Sequence, residues 1–229
     1  MKLGILFSGG KDSCFACYKV REKVACLITI ISKNPESYMF HTTNINLTKI
    51  QANLLGLPWI SVETEGEKEK ELKELEKAIK IAKEKYKITG IVSGALSSVY
   101  QKTRIKKICD KLGLQCVNPL WQANQIAYLK EFISSGFKAL ISGVFACPFS
   151  ANWLGRVIDE KTLEELKELS KNFGISVAGE GGEFETFVFD GPIFKKKIEI
   201  IKASKIYKDY SGIYKIEKIR IGGKVCETN

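Results

Sequence analysis

The sequence predicts an α/β protein: a doubly wound parallel sheet of about five strands, followed by a smaller C-terminal α+β domain. Three observations lead there. Short apolar runs recur at Leu3–Phe7, Val24–Ile31, Trp59–Val62, Ile88–Val92 and Cys116–Val117, near-continuous in the manner of strands buried on both faces. Stretches with helical periodicity separate them, so successive strands should run parallel. Past residue 121 that alternation lapses, and two long alternating strands close the chain.

Each element has its own justification. Leu3–Phe7 leads into Ser8-Gly9-Gly10-Lys11-Asp12-Ser13, and Cys14–Val20 reads as a helix. Asn34-Pro35-Glu36-Ser37 breaks the chain after the second strand, and Met39–Asn44 is a polar loop. Thr48 is placed to cap a short helix ending at Leu55. A charged helix over Glu67–Tyr86 buries the stripe Leu72, Leu75, Ile79 and Ala82, its Lys/Glu pairs forming a solvated face. Ser93–Ser97 turns the fourth strand into a helix over Ser98–Leu112. Asn118-Pro119 ends this unit, and the boundary falls near Gln122, giving domains 1–121 and 122–229. In the second domain helices are expected over Asn124–Ser135 and Glu160–Phe173, the latter capped by Asp159. Strands are expected at Ala139–Phe145, Ile175–Ala178, Phe187–Phe189, Ile198–Tyr207 and Ile213–Ile221.

Strand, glycine turn and helix together aim backbone N–H groups and a helix N-terminus at an anion. Gly9 and Gly10 admit a phosphate without an intervening Cβ. Ser8 and Ser13 supply hydroxyls, Lys11 a positive charge, and Asp12 a hard oxygen for Mg²⁺. The turn is not a Walker loop: Ile5 stands where that motif needs its first glycine, and Asp12 where it needs Ser or Thr. It resembles instead the pyrophosphate loop of the N-type ATP pyrophosphatases, which cut ATP between its α- and β-phosphates. Ser8–Ser13, His41–Asn44 and Ser93–Ser97 all follow strands, so they should line one crevice beyond the carboxyl ends of the sheet.

Composition narrows the field. A chain of 229 residues that is 45% hydrophobic can bury a sizeable core. No apolar run approaches a membrane span and no signal-peptide pattern opens the chain, so a cytoplasmic location with no membrane partner is expected. Seven scattered cysteines in apolar contexts suggest reduced, buried thiols; Cys14 and Cys17 form a lone C-x-x-C that reads as packing in preference to metal or redox chemistry. Of the net charge of +10, much lies late: Lys195–Lys224 holds ten basic against three acidic residues, a face for an anionic partner, protein or RNA.

A second constellation is Gly179-Glu180-Gly181-Gly182-Glu183-Phe184-Glu185-Thr186. Three carboxylates within six residues repel one another unless a metal or a cationic ligand visits. The bland alternative is a solvated acidic turn, weakened by the strands expected on either side.

Ser8–Ser13, His41-Thr42-Thr43-Asn44, Ser93-Gly94 with Tyr100-Gln101 and Arg104, Pro119-Leu120-Trp121, Leu154-Gly155-Arg156 and Glu180–Thr186 occur together and in order. That ordered set resembles the diphthine–ammonia ligase family, within the pyrophosphate-loop superfamily. The resemblance implies a Rossmann-like, adenine nucleotide alpha hydrolase-like fold and an ATP-dependent amidation. Diphthine, a modified histidine of translation elongation factor 2, would be activated as an acyl-adenylate with release of pyrophosphate; ammonia would then displace AMP. ATP with Mg²⁺ would be held by Ser8, Gly9, Gly10, Lys11, Asp12, Ser13, Ser93 and Gly94, with Asp12 on the metal. Substrate would meet His41, Asn44, Tyr100, Gln101, Arg104, Glu180, Gly181, Gly182, Glu183, Phe184, Glu185 and Thr186. Lys11, Asp12 and Glu183 would be catalytic, Glu183 deprotonating ammonium and the Phe184 ring facing the trimethylammonium cation. With one histidine and no room for a glutaminase domain, ammonia should come from solution or a separate subunit. A homodimer is compatible with this reading, and RNA is not an expected partner. The competing readings are a tRNA thiolation or lysidine-type enzyme on the same loop, and a non-catalytic nucleotide-binding module.

Overall fold

The computed structural model describes residues 1–34, 43–67, 69 and 71–223. His41, expected in the site, lies outside that set. The chain forms two compact units, Met1–Asn53 with Leu57–Asn124, and Leu54–Gly56 with Gln125–Asn229.

In the first unit β1 (Leu3–Leu6), β2 (Val24–Ser32), β3 (Trp59–Thr64), β4 (Gly90–Val92) and β5 (Gln115–Val117) form one sheet in the order β3-β2-β1-β4-β5. Every pairing is parallel. The strand order reverses between β1 and β4, the switch point at which such sheets open a crevice. The helices are α1 (Lys11–Lys19), α2 (Thr48–Leu55), α3 (Glu71–Tyr86) and α4 (Val99–Leu112). Leu75, Ile79 and Ala82 of α3 and Ile105, Ile108 and Cys109 of α4 join Ile28, Ile30 and Ile91 of the sheet in one buried cluster. The expected stripe of α3 is therefore its buried face, with Ala78 added and Leu72 at its edge.

Three local expectations need correction. α1 begins at Lys11, not Cys14, because the extended Gly10 sets its carbonyl to accept from Cys14 N at 3.0 Å. α3 begins at Glu71, since Glu69 adopts φ +65°, a left-handed conformation no helix contains. Thr48 does not cap α2. A 3₁₀ turn, Ile45–Leu47, runs directly into it, so Thr48 is already helical, and its hydroxyl donates to Ile45 O at 2.6 Å.

The second unit contains α5 (Gln125–Ser134), β6 (Lys138–Phe145), α6 (Glu160–Phe173), β7 (Phe184–Asp190), β8 (Lys197–Lys208) and β9 (Ser211–Gly222). Its sheet is antiparallel throughout, in the order β7-β6-β9-β8. The basic span folds largely into the β8–β9 hairpin, where Glu199 pairs with Lys197 and Arg220, and Glu217 with Lys202. Ile175–Ala178 is not a strand. Ser176 N donates to Glu183 Oε1 and Ala178 N to Gln125 Oε1, so side chains take the amides a sheet neighbour would need.

α6 shows how local chemistry sets an element's bounds. Asp159 accepts from Thr162 N at 2.8 Å at the start, and Gly174 at φ +72° closes the end. The Thr162 amide is the main cause holding the Asp159 carboxyl below its ordinary value. A depressed folded pKa contributes stability above the unfolded value, lost as pH falls through the folded one. Asp159→Ala should therefore cost about 1 kcal/mol in urea unfolding at pH 7. That penalty should shrink below about pH 4; a cost that persists unchanged at low pH would assign the loss to packing.

Candidate functional site

β1 delivers the Ser8–Ser13 turn to the switch point. Beneath it, Phe7 N donates to Ile28 O at 2.8 Å, and Phe7 O accepts from the Thr29 hydroxyl at 2.8 Å. The indole N–H of Trp59 donates to that same hydroxyl at 2.9 Å, so the turn rests on a buried polar chain. Gly9 adopts φ +77°, and its carbonyl accepts from Gln51 Nε2 at 2.9 Å. Ser13 Oγ donates to Gly10 O at 3.1 Å and lies 3.2 Å from Ser8 Oγ, closing the turn on itself.

The helix that follows has Gly10 as its N-cap. Glycine has no side chain to satisfy the first-turn amides, and the helix dipole places partial positive charge there. Gly94, after β4, packs against this first turn. A Cβ at Gly94 would lie 2.7 Å from Asp12 C and 2.9 Å from Ser13 N, so only glycine permits that approach. Ser93 is tied to Asn118 by a hydroxyl-to-carboxamide bond and donates its amide to Val117 O. The Ser8–Ser13 and Ser93–Gly94 segments thus meet as expected. Asn44 sits at φ +60° leading the Ile45–Leu47 turn, its carbonyl accepting from Leu47 N.

Lys11 is buried, with 3% of its side chain exposed, and its ammonium lies 2.9 Å from both Asp12 oxygens. Among the described residues no three His, Cys, Asp or Glu side chains gather as a metal site. Cys14 and Cys17 are buried free thiols in α1; burial raises both, Cys17 to about 12, which leaves them protonated and inert.

Tyr100, Gln101 and Arg104 occupy the first two turns of α4, whose cap Ser98 accepts from Gln101 N. Tyr100 and Arg104 converge on Glu69: the phenol donates to Oε1 at 2.9 Å and Arg104 Nε at 2.7 Å.

The acidic segment differs from its expected form. Gly179 and Gly182 take left-handed conformations, and Gly182 N donates to Gly179 O. Glu183 accepts from Ser176 N through Oε1 at 2.7 Å and from Gly181 N through Oε2 at 2.8 Å. A Cβ at Gly181 would lie 2.7 Å from that carboxylate, which is why glycine stands there. Glu183 is thus a strut of the turn, and both its oxygens are occupied. Phe184, Glu185 and Thr186 belong to β7, not a loop, opposite Val144, Gly143 and Ile141. Phe184 is buried, edge-on to Phe149 at 5.8 Å, so its ring does not offer a face to a cation. Arg156 grips Glu165 with both guanidinium nitrogens and covers the Trp153 ring, a structural clasp.

Gln51, Asn118 and Glu69 escaped the sequence reading. Gln51 had a signal: with Thr48 and Ala52 it marks one face of α2, and all three are fully buried. A glutamine on a buried helix face needs a partner, and here the partner is the Gly9 carbonyl. Asn118 and Glu69 carried no comparable signal.

A parallel sheet whose central strand ends in a glycine turn, followed by a helix with no side-chain cap, defines a doubly wound α/β protein. Residues 1–116 match the model of the diphthamide synthase N-terminal domain, and residues 124–221 that of the diphthamide synthase C-terminal domain. The chain belongs to the diphthamide synthase family. It is similar to the proteins named diphthine–ammonia ligase of Bos taurus (36% identical, covering 90% of this chain and 85% of that one) and Homo sapiens (35%, 90% and 85%). The protein of that name in Schizosaccharomyces pombe is 29% identical over 93% of this chain but only 38% of its own length. A solved chain from Methanocaldococcus jannaschii, described as a "predicted subunit of tRNA methyltransferase", superposes with TM-score 0.44 at 18% identity over 84% of this chain and 98% of that one. That likeness is too slight to bear on function.

The closeness of Gly94 to α1 makes a test of the assembled turn. Gly94→Ala must displace the first turn of α1 or the Ser93–Gly94 segment, at a cost of about 1–3 kcal/mol in denaturant unfolding. An unchanged unfolding midpoint would show that the two segments are not in contact.

Proposed function

We propose that this chain is a diphthine–ammonia ligase that works through an acyl-adenylate. The reading is supported by the family membership and by one observation above others: the Ser8–Ser13 turn, pinned from below, leads into a helix with no side-chain cap, with Gly94 pressed against its first turn. A carboxylate resists attack by ammonia until its oxygen becomes a good leaving group. Attack of the diphthine carboxylate oxygen on the α-phosphorus of ATP forms the acyl-adenylate and expels pyrophosphate. Ammonia then adds to the acyl carbon, a proton departs, and AMP leaves with the electron pair of the C–O bond.

The first-turn amides of α1, with Ser8, Gly9, Gly10 and Ser13, hold phosphate oxygens, and Ser93 and Gly94 close the other side. Lys11 is buried beside Asp12, so its charge is fixed in place rather than free to search for one. The donor set suits Mg²⁺ arriving with ATP: the side chain of Asp12 is a quarter exposed, and a single carboxylate plus phosphate oxygens and water is how that ion is usually held. When bound, the metal neutralises charge on the phosphates. Because Glu183 is engaged as a strut, handling of ammonium and the diphthine cation passes to Glu180 and Glu185, with Glu183 holding the turn that presents Glu180. Elongation factor 2 in its diphthine form is the acceptor.

Two measurements test this. Incubation with ATP, ammonium and diphthine-bearing elongation factor 2 should yield AMP, pyrophosphate and an amidated factor. Lys11→Ala and Asp12→Ala should each lower kcat by about a hundredfold, on the order of 3 kcal/mol of transition-state stabilisation. ADP and phosphate as products would refute the adenylate. For the acidic turn, Glu183→Gln should lose amidation and thermal stability together, by about 1–3 kcal/mol, whereas Glu180→Gln should lose amide product with its unfolding midpoint intact. A Glu183→Gln protein that melts normally yet makes acyl-adenylate without amide would restore Glu183 as the base.

A further inference from the structure

The first unit holds a second charged feature that the chemistry above leaves unused. Between α3 and α4 runs a groove of about 260 Å³. Lys73, Arg104, Lys107 and Lys111 line it, against the carboxylates of Glu69 and Glu76. Both carboxylates are engaged by the groove's own cations, Glu76 by Lys111 at 2.7 Å and Glu69 by Arg104.

The Glu69 end is built as a receptor. Three donors, the Tyr100 hydroxyl and the Nε and Nη2 of Arg104, converge on the single oxygen Oε1. The guanidinium lies over the Tyr100 ring, 3.5 Å from its centroid, so stacking fixes the fork before any ligand arrives. Burial first, then the Glu69 carboxylate, raise Tyr100 above its ordinary value, so the phenol remains a donor at neutral pH. The two residues stand four apart on one face of α4. They follow β4 and Glu69 follows β3, so the receptor opens at the same carboxyl end of the sheet as the Ser8–Ser13 turn.

Its present occupant is poorly suited to permanence. Glu69 holds φ +65°, a costly conformation for a residue with a Cβ. Half of its side chain is exposed, against 28% for Arg104, so water competes for the pair. Exposed ion pairs of this kind contribute about 1 kcal/mol or less. A ligand carboxylate can take the site at small cost.

We propose that this groove docks an acidic segment of the acceptor protein, with Tyr100 and Arg104 receiving one of its carboxylates and Glu69 occupying that receptor until the acceptor arrives. The inference rests on the ligase reading above for the identity of the acceptor. Charge chooses the ligand. Among the described residues four cations against two carboxylates leave the groove positive, which attracts acidic side chains and repels the trimethylammonium group of diphthine. The groove is therefore a docking surface and not the seat of the diphthine cation.

The test combines binding and kinetics on the full chain. Hexaglutamate, titrated by calorimetry without acceptor, should bind the wild type, bind Glu69→Gln about fivefold more tightly, and bind Arg104→Ala detectably worse. In amidation assays Glu69→Gln should lower KM for the acceptor by a similar factor with KM for ATP unmoved, and hexaglutamate should compete with the acceptor. Rising salt should weaken both effects. If Glu69 merely anchors its own segment, Glu69→Gln raises KM or leaves it unchanged, and the inference falls. It falls also if trimethylammonioacetate competes where hexaglutamate does not, or if an RNA oligonucleotide displaces hexaglutamate and binds more tightly. A wild type that makes no amide would overturn the ligase reading alone, since the calorimetry still decides whether the groove takes carboxylates.

Discussion

The approach of Gly94 to the first turn of α1 is the constraint on which the rest of the first unit depends. Two backbone segments from different strands meet with no Cβ between them, at a distance a methyl group could not occupy. Such closeness requires both strands to end at the same level, which parallel pairing of β1 with β4 in register supplies. It requires the turn before α1 to stay put, which Gln51 ensures by holding the Gly9 carbonyl from α2. The outcome is a helix N-terminus with no side-chain cap. That is a large fixed dipole placed without a flexible side chain, and therefore with little entropy left to lose when an anion binds.

How legible this was depended on the range of the interaction. Strand positions and the parallel order followed from apolar runs and alternation, since sheet burial writes itself directly into composition. α6 was readable at both ends because Asp159 and Gly174 act within one turn of themselves. The readings that needed correction concern residues whose type does not announce the hydrogen bond or backbone conformation they adopt. Ile175–Ala178 has strand composition, but Gln125 takes the Ala178 amide and Glu183 takes that of Ser176. Thr48 has the chemistry of a cap, yet a preceding 3₁₀ turn had already begun the helix. Of the candidate site, the Ser8–Ser13 turn and its meeting with Ser93–Gly94 were legible; the strut role of Glu183 was not, because a glutamate between glycines does not announce that its oxygens turn back on the Ser176 and Gly181 amides.

The acidic segment shows how one observation can hold two explanations. Three glutamates among glycines suggest cation chemistry, and the bland reading makes them a solvated turn. The structure divides the set. Glu183 is internal scaffolding, with Gly181 required by its carboxylate, and Phe184 belongs to the aromatic core beside Phe149. Glu180 and Glu185 lie on either side of that scaffold, one on the turn and one on β7. A carboxylate whose two oxygens each accept a backbone N–H is held in place by the turn and is not free to swing toward a ligand. Within the trio, hydrogen bonding thus sets Glu183 apart as the residue that holds the turn.

The proposed reaction asks for two electrostatic environments of opposite sign. Adenylation needs positive potential, to hold phosphates and to stabilise charge on departing pyrophosphate. Amidation needs negative potential, to gather ammonium and to tolerate a fixed trimethylammonium cation. One cluster cannot serve both: carboxylates among the phosphate-holding amides would repel ATP, and added lysines among the glutamates would repel ammonium. The proposed assignment draws the two kinds of group from different stretches of the chain, helix-terminal amides and Lys11 from the first compact unit, Glu180 and Glu185 from the second. The same logic explains why the basic α3–α4 groove suits recognition and not chemistry. Its charge matches neither the cation on diphthine nor ammonium, and it is free to read a carboxylate elsewhere on the acceptor.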